Sequence, residues 1–340
     1  MKKATIKDVA KRANVSITTV SLVLNNKCHS SNISKETIAL VKKVAEELQY
    51  SKNFMASSLR SNVTKTIGII IPEIENHYYS RIISKIDELV SAKGYSLLTA
   101  ISNNDFEREL SLFDHMVARQ VDYLLFLPSS SALRKDNSEK LQNLLDKLPI
   151  KFVVLDRKTK LNHHVEVVND DQVGGTLATE YLIKNGHTRI ACITGPKGVS
   201  SSDDRLEGYK LTLQKFNISF DESLIYEGDY TYNTAVELSK DILQRDDVDA
   251  IFAFNDVSAY AIYHNCDALN KKVGLDISIV GFDDNSFSSL ISPPLTSVGQ
   301  NITEICSIAV DKLFDSENVR EVIKVTPNLK ERKSVGIKHV

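Results

Sequence analysis

Seven short polar clusters interrupt an otherwise apolar-rich chain: residues 76–79, Asp156-Arg157, Asp204-Arg205, Asp229-Tyr230, Asn255-Asp256, Asp283-Asp284 and Gln300. They mix aromatic rings with carboxylates, amides and two guanidinium groups. That mixture suits a sugar, whose ring offers apolar faces for stacking and whose vicinal hydroxyls pair with two-pronged polar groups. Tyr78, Tyr79, Asp156, Arg205, Tyr230, Asn255, Asp283 and Gln300 are therefore expected to bind a small effector. Asp156, Asp256 and Asp284 also read as turn or helix caps. No catalytic residue is expected, because G-x-G-x-x-G, G-x-x-x-x-G-K-[ST], G-x-S-x-G and H-E-x-x-H are all missing. The eight histidines are scattered, and His187 after Gly186 reads as a strand cap rather than a base. Cys28, Cys192, Cys266 and Cys306 stand alone, without C-x-x-C pairing or histidines at ligand spacing. No cofactor or metal is expected, and a reducing, cytoplasmic setting is.

The clusters fall where repeated βα units would place them. From residue 66 onward, apolar runs of strand length alternate with helical stretches: strands at 67–72, 95–100, 121–127, 152–156, 165–168, 189–194, 224–227, 250–254 and 277–282. Such runs, buried on both faces, pack as two doubly wound parallel sheets. In such sheets ligands sit beyond the carboxyl ends of the strands, which is where the polar clusters lie. The longest apolar runs are far short of the roughly 20 residues a membrane span needs, and Met-Lys-Lys is followed by charged residues rather than an export core. No membrane partner is expected.

The first 62 residues differ in charge from the rest, with eleven Lys/Arg against four Asp/Glu, leaving 31 against 40 for the remainder of this 340-residue chain. A basic head on an acidic body is the footprint of a module that binds a polyanion. Thr5-Ile6-Lys7-Asp8 is a capping box, and Ile6, Val9, Ala10 and Ala13 follow at helical spacing. Asn14 can stop that helix in the left-handed conformation, and Ser16 can cap a second one running to Asn25. A third helix, capped by Ser34, turns Ile38, Val41, Ala45 and Leu48 inward. Two short helices joined by a turn of about three residues form a helix-turn-helix.

Residues 5–10, 15–21 and 23–26, read as TIKDVA, VSITTVS and VLNN, resemble the head of the LacI/GalR bacterial transcription regulators, and the likeness runs to the C-terminus. The resemblance implies an all-α helix-turn-helix head plus an α/β periplasmic-binding-protein-like core of two doubly wound parallel-sheet lobes. It implies a DNA-binding domain at 1–52, a hinge helix at 53–61 and an effector-binding and dimerisation domain at 62–340. Lobe 1 would be about 62–158 and 295–320, and lobe 2 about 160–292 and 322–340, with strand 322–326 in lobe 2. Ile17, Thr18 and Leu22 fall at base-reading positions, while Thr5, Ser16, Thr19, Ser21 and Asn25 would hold phosphates. Leu22 stands where the family usually has Arg, Asn14 where it has Gly, and Lys52 where it has Pro. Without that Arg, Leu22 and Ile17 are expected to pack on thymine methyls, favouring T·A opposite Leu22. In the hinge, Asn53, Ala56 and Leu59 occupy family positions, and Leu59 would wedge the central base step of the minor groove.

The same resemblance implies a homodimer on a pseudo-palindromic double-stranded operator, with a small sugar acting as effector between the lobes. Segments 174–179, 186–196 and 205–209 are most like ribose-operon repressors, which points to ribose. The short tail after the last strand points to a dimer rather than a tetramer. The alternative within the family is a catabolite-control regulator that answers a phosphoprotein. A transport sugar-binding protein would need an export signal and no basic head.

Overall fold

The computed structural model describes residues 4–25, 33–50, 63–159, 164–316 and 320–338. The chain divides into two compact units, Met1–Thr64 and Lys65–Val340. The first holds α1 (Ile6–Ala13), α2 (Ile17–Leu24) and α3 (Lys35–Glu47). The expected capping box forms: Asp8 N–H donates to Thr5 Oγ1 at 3.4 Å, and Thr5 N–H donates to Asp8 Oδ2 at 2.8 Å. Asn14 ends α1 at φ 52°, so an asparagine supplies the left-handed turn without a glycine. Ser16 Oγ accepts from Thr19 N–H at 3.0 Å, and Ser34 Oγ from Thr37 N–H at 3.2 Å. The small core joins Val9, Ala10 and Ala13 to Val20 and Val23 and to Val41, Val44 and Ala45. Ile38 and Leu48, expected inside, are half-buried against it.

The second unit contains two six-stranded sheets. The first is built from β1 (Thr66–Ile71), β2 (Ser96–Ile101), β3 (Tyr123–Phe126), β4 (Lys151–Asp156), β5 (Val165–Asn169) and β11 (Glu321–Val325). Its order is β11-β5-β4-β3-β1-β2, and every pair is parallel. The second is built from β6 (Ile190–Ile193), β7 (Ile225–Tyr226), β8 (Ala250–Ala253), β9 (Ser278–Phe282), β10 (Thr296–Gly299) and β12 (Asn328–Lys330). Its order is β12-β10-β9-β8-β6-β7, and only β10–β12 is antiparallel.

Side-chain alternation gives each sheet two apolar faces. Ile67, Ile69 and Ile71 pack with α4 (His77–Ala92) and α11 (Ile302–Phe314). Ile70, Leu124 and Phe126 pack with α5 (Phe106–Ala118) and α6 (Lys135–Leu145) on the other face. In the second lobe, Ile193, Ile251 and Ile279 face α9 (Tyr232–Leu243) and α10 (Asp256–Ala268). Cys192, Phe252 and Phe282 face α7 (Asp171–Lys184) and α8 (Ser200–Lys215).

The lobe boundaries correct the sequence expectation in one consistent way. Strand β5 pairs with β4 (Val153 opposite Val165), β10 with β9 (Val298 opposite Phe282), and β11 with β5 (Val322 opposite Glu166). Each crossing between lobes thus lies one strand later than expected, after Asn169, Gly299 and Val325, and strand 321–325 belongs to lobe 1. The physical reason is that nothing in a strand's local sequence, whether buried as in β5 and β10 or largely exposed at the sheet edge as in β11, encodes which sheet it joins, so membership is decided by pairing. Helix α8 also starts four residues before the expected Asp204. Cys192, Cys266 and Cys306 are buried free thiols, and Cys28 lies outside the described residues. Among the described residues, no helix is long and apolar enough to cross a membrane.

Candidate functional site

All eight residues expected to bind the effector line one cleft between the two lobes. Tyr78 and Tyr79 open α4 just after β1, behind Asn76, whose Oδ1 accepts from Tyr78 N–H at 3.0 Å. Asp156 ends β4, while Tyr230, Asn255, Asp283 and Gln300 follow strand ends of the second sheet, and Arg205 projects from α8. A hydrogen-bonded chain crosses from one lobe to the other. Tyr78 donates to Asp156 Oδ1 at 2.7 Å, Asn169 Nδ2 donates to Tyr78 Oη at 3.4 Å and to Gln300 Oε1, and Gln300 Nε2 donates to Asp283 Oδ1 at 2.6 Å.

Arg205 is only 4% exposed and is held on every side. Its Nε and Nη2 both reach Asp171 Oδ1 at 2.8 Å, Nη1 donates to the Phe254 carbonyl, and the guanidinium lies 3.6 Å from the Phe282 ring centroid. A fork pinned this way is pre-organised for adjacent acceptors. The pinning depends on close packing of α7 on α8: a Cβ at Gly175 would lie 2.2 Å from the Arg205 carbonyl oxygen, and one at Gly208 2.1 Å from that of Gln172. Burial works against charge on Arg205, and Asp171, Tyr230 and Asp283 together more than offset it, so the guanidinium stays ionised. Burial pushes Asp171 up to about 7 against the pull of Arg205. Asp283 is also pushed well up by burial, with Arg205 opposing.

Three of these residues have left-handed backbones: Asp156 at φ 74°, Tyr230 at φ 70° and Asp283 at φ 105°. Each costs about 1–3 kcal/mol, and such strain collects where side chains must be aimed at a ligand. The Tyr230 turn is held by Asn255 Nδ2, which donates to the Tyr230 carbonyl at 2.9 Å, and by the Ser201 hydroxyl 3.2 Å from Tyr230 Oη.

Sequence reasoning did not single out Glu73 and Ser201, which also line the cleft, or Asn169 and Asp171, which orient its partners, and it placed Arg157, another lining residue, in a polar cluster without naming it for the effector. Arg157, 6% exposed, donates through Nη1 to the Pro128 carbonyl at 2.9 Å and lies 5.8 Å from the Tyr230 ring centroid, while its Nε finds no hydrogen-bond partner. The polar run 169–171 after β5 was the available signal for the supporting pair. Asp256 and Asp284 do hold turns. Asp256 accepts from Asn285 N–H at 2.7 Å and from the Ser288 and Ser297 hydroxyls at 2.6 Å, and Asp284 pairs with Arg332 at 2.5 Å. The lobes are further bridged by Arg81 Nη1, which donates to the Asp284 carbonyl at 2.9 Å, and by His77 Nε2, 3.1 Å from Ser286 Oγ.

In the head, Thr5, Ser16, Ile17 and Thr18 are exposed around the first turns of α1 and α2, with Ile17 at 42% despite being apolar. Thr19, Ser21, Leu22 and Asn25 are half-buried, and Asn25 Nδ2 donates to the Ser21 carbonyl at 2.7 Å. Asn53, Ala56 and Leu59 lie outside the described residues.

Comparison with known proteins matches residues 5–53 to the model of bacterial regulatory proteins of the lacI family and residues 179–335 to a periplasmic binding protein-like domain. The HTH-type transcriptional repressor PurR of Vibrio atlanticus (strain LGP32) is 31% identical over 341 residues, 98% of either chain. A complex of the transcriptional regulator CelR with cellobiose is 29% identical, covering 97% of this chain and 99% of that one, at a TM-score of 0.70. The Lac repressor dimer bound to operator and the anti-inducer ONPF is 25% identical, covering 98% and 99%, at a TM-score of 0.84.

Proposed function

The chain belongs to the lacI family of bacterial regulatory proteins, and on that premise we propose that it is a cytoplasmic, homodimeric repressor of a sugar-utilisation operon, released or engaged by a small sugar held between its lobes. In this reading, residues 1–52 bind a pseudo-palindromic operator, 53–61 form the hinge, and 62–340 bind the effector and dimerise. The supporting observation is the convergence of Tyr78, Tyr79, Asp156, Arg205, Tyr230, Asn255, Asp283 and Gln300 on one buried cleft. Three phenol rings provide stacking faces. Two carboxylates, two amides and the fork of Arg205 provide paired hydrogen bonds for vicinal hydroxyls. Ribose, toward which segments 174–179, 186–196 and 205–209 point, is the first ligand to test.

The cleft encloses about 30 Å³, space for roughly two waters, so a sugar enters only as the lobes part or re-seat. A ligand whose binding requires a change in lobe arrangement has different affinities for the two arrangements. It therefore shifts the DNA-competent population by that difference. Phosphates contacted by Thr5, Ser16, Thr19, Ser21 and Asn25 would set register, and Ile17, Thr18 and Leu22 would read base edges.

The reading is tested by calorimetric titration of the full chain with ribose, other monosaccharides and, because the curated relatives carry the name PurR, purine bases. Saturable ribose binding lost in Asp283→Asn supports it. Saturable binding of a purine base and of no sugar replaces the sugar with a base at the same cleft. Operator binding that no small molecule alters would favour a protein co-regulator.

A further inference from the structure

The apolar face of α5 carries a carboxylic acid. Phe106, Leu112, Phe113 and Met116 turn into the core of the first lobe, and Glu109 shares their face with no exposure to solvent. Its Oε2 accepts from Ser129 N–H at 3.1 Å, while Oε1 finds no hydrogen-bond partner. A buried carboxylate with one oxygen unused is costly when ionised unless a cation stands near it. That cation is Arg157, whose Nε is likewise buried without a hydrogen-bond partner.

The loop after β3 joins the two groups. Glu109 holds it at Ser129 N–H, and Arg157 holds it one residue earlier, at the Pro128 carbonyl, at 2.9 Å. The loop is fixed elsewhere as well: Ser129 Oγ accepts from Ala132 N–H at 3.1 Å and lies 2.9 Å from Ser131 Oγ, which donates to the Asn104 carbonyl at 2.7 Å. Glu109 faces Ser102 from the loop after β2, Ser129 from the loop after β3 and Arg157 from the end of β4. Neighbouring charged groups are engaged elsewhere: Glu107 pairs with Lys140, Asp105 caps α5 at Arg108 N–H, and Arg108 Nε donates to the Ile101 carbonyl. On its other side Arg157 faces Asp156, whose Oδ2 is 3.5 Å from its Nε, and the cleft residues Glu73, Tyr79, Tyr230 and Arg205. The guanidinium is thus shared between a carboxyl inside the lobe and the groups of the cleft.

Resting on the reading of the cleft as the effector site, we propose that Glu109 is a positioning residue for that site: ionised, it holds Arg157 toward the lobe interior, and protonated, it leaves the guanidinium to the cleft. Effector binding is then linked to a proton. A ligand that draws on Arg157 binds more tightly while Glu109 is neutral, so its affinity falls as pH rises. Burial pushes Glu109 up to about 7, with Ser129, Ser102 and Arg157 opposing, which puts the change in the neutral range.

The test records the arginine Nε–H resonances of the full chain, labelled with nitrogen-15 arginine and free of ligand, across the neutral range, with Arg157→Lys identifying the Arg157 signal. That signal should shift with a midpoint at about 7 in the wild-type protein and hold still in Glu109→Gln. Ribose should bind at least about threefold more weakly at the alkaline end of the range than at the acid end in the wild-type protein, and equally at both in Glu109→Gln. An Arg157 signal that does not move, or that moves equally in Glu109→Gln, overturns the proposal, as does a ribose affinity with the same pH dependence in both proteins. Absence of ribose binding counts against the sugar reading alone, because the resonance shift is read without ligand and still decides. If Glu109→Gln fails to fold, the infrared carbonyl band of the protonated acid in wild-type protein labelled with carbon-13 glutamate takes its place. That band should vanish at the midpoint of the Arg157 shift, and a different midpoint overturns the proposal.

Discussion

The head and the ligand-binding unit place their polar groups in opposite ways. Among its described residues the head buries only valines and alanines, and its candidate contact residues, Thr5, Ser16, Ile17 and Thr18, face solvent. The larger unit buries Glu109, Asp156, Arg157, Asp171, Arg205, Asn255, Asp256, Asp283 and Gln300 at 6% exposure or less. Exposed contact residues that cap no helix change binding with little effect on folding. Buried polar residues are part of the fold, so binding and stability move together there.

That contrast is tested most severely at Arg205. Arg205→Ala leaves Asp171 buried without its partner, which costs about 3–5 kcal/mol. Thermal melting should show the transition of the larger unit falling sharply, with the effector response lost. At temperatures below that transition the operator should still be bound. An unchanged melt would mean the Arg205–Asp171 pair carries little.

Glu109 sharpens the comparison through pH. It lies on α5, fully buried, accepting from Ser129 N–H at 3.1 Å, and burial pushes it up to about 7 from an ordinary 4.5. A carboxyl raised in the folded state favours folding while protonated, and that contribution is lost as pH rises through about 7. Between pH 5 and 8 the wild-type protein should lose on the order of 2–3 kcal/mol relative to Glu109→Gln, at about 1.4 kcal/mol per pKa unit. Parallel pH profiles for the two proteins would remove Glu109 from the account. No described buried side chain of the head is ionisable, so its own melting should be nearly flat over that range.

Smaller effects belong to the head. Ile17→Ala should weaken operator binding about tenfold with a melting shift equivalent to under about 0.5 kcal/mol, because the side chain is 42% exposed. A large melting shift without lost affinity would place Ile17 in the core. Thr5→Ala removes one half of the capping box and should cost about 1 kcal/mol of head stability. Circular dichroism on the head's transition reads it, and no change would show that Asp8 alone caps α1.

The same contrast explains what was legible in the sequence. The head's helix starts could be read because each is encoded within four residues: Thr5 with Asp8, Ser16 with Thr19, Ser34 with Thr37. The cleft residues could be read one at a time from their position after apolar strands. Their connection could not, since Asn169 and Gln300, which tie Tyr78 to Asp283, are 131 positions apart. Lobe membership of β5, β10 and β11 was misassigned because nothing local marks which sheet a strand joins. Ser201 was passed over because Val199, the N-cap of α8, makes no side-chain cap, so the helix start carries no local signature.

The most direct measurement of the link between cleft and head is fluorescence anisotropy of an operator duplex titrated with the full chain at two salt concentrations, with and without ribose, other monosaccharides and purine bases. Binding should be tight and should weaken steeply with salt, and one of these ligands should shift the midpoint at least fivefold in the wild-type protein and not in Arg205→Ala. Superimposable isotherms with every ligand, in a protein that nevertheless binds the operator tightly, would contradict the claim that the cleft controls the head.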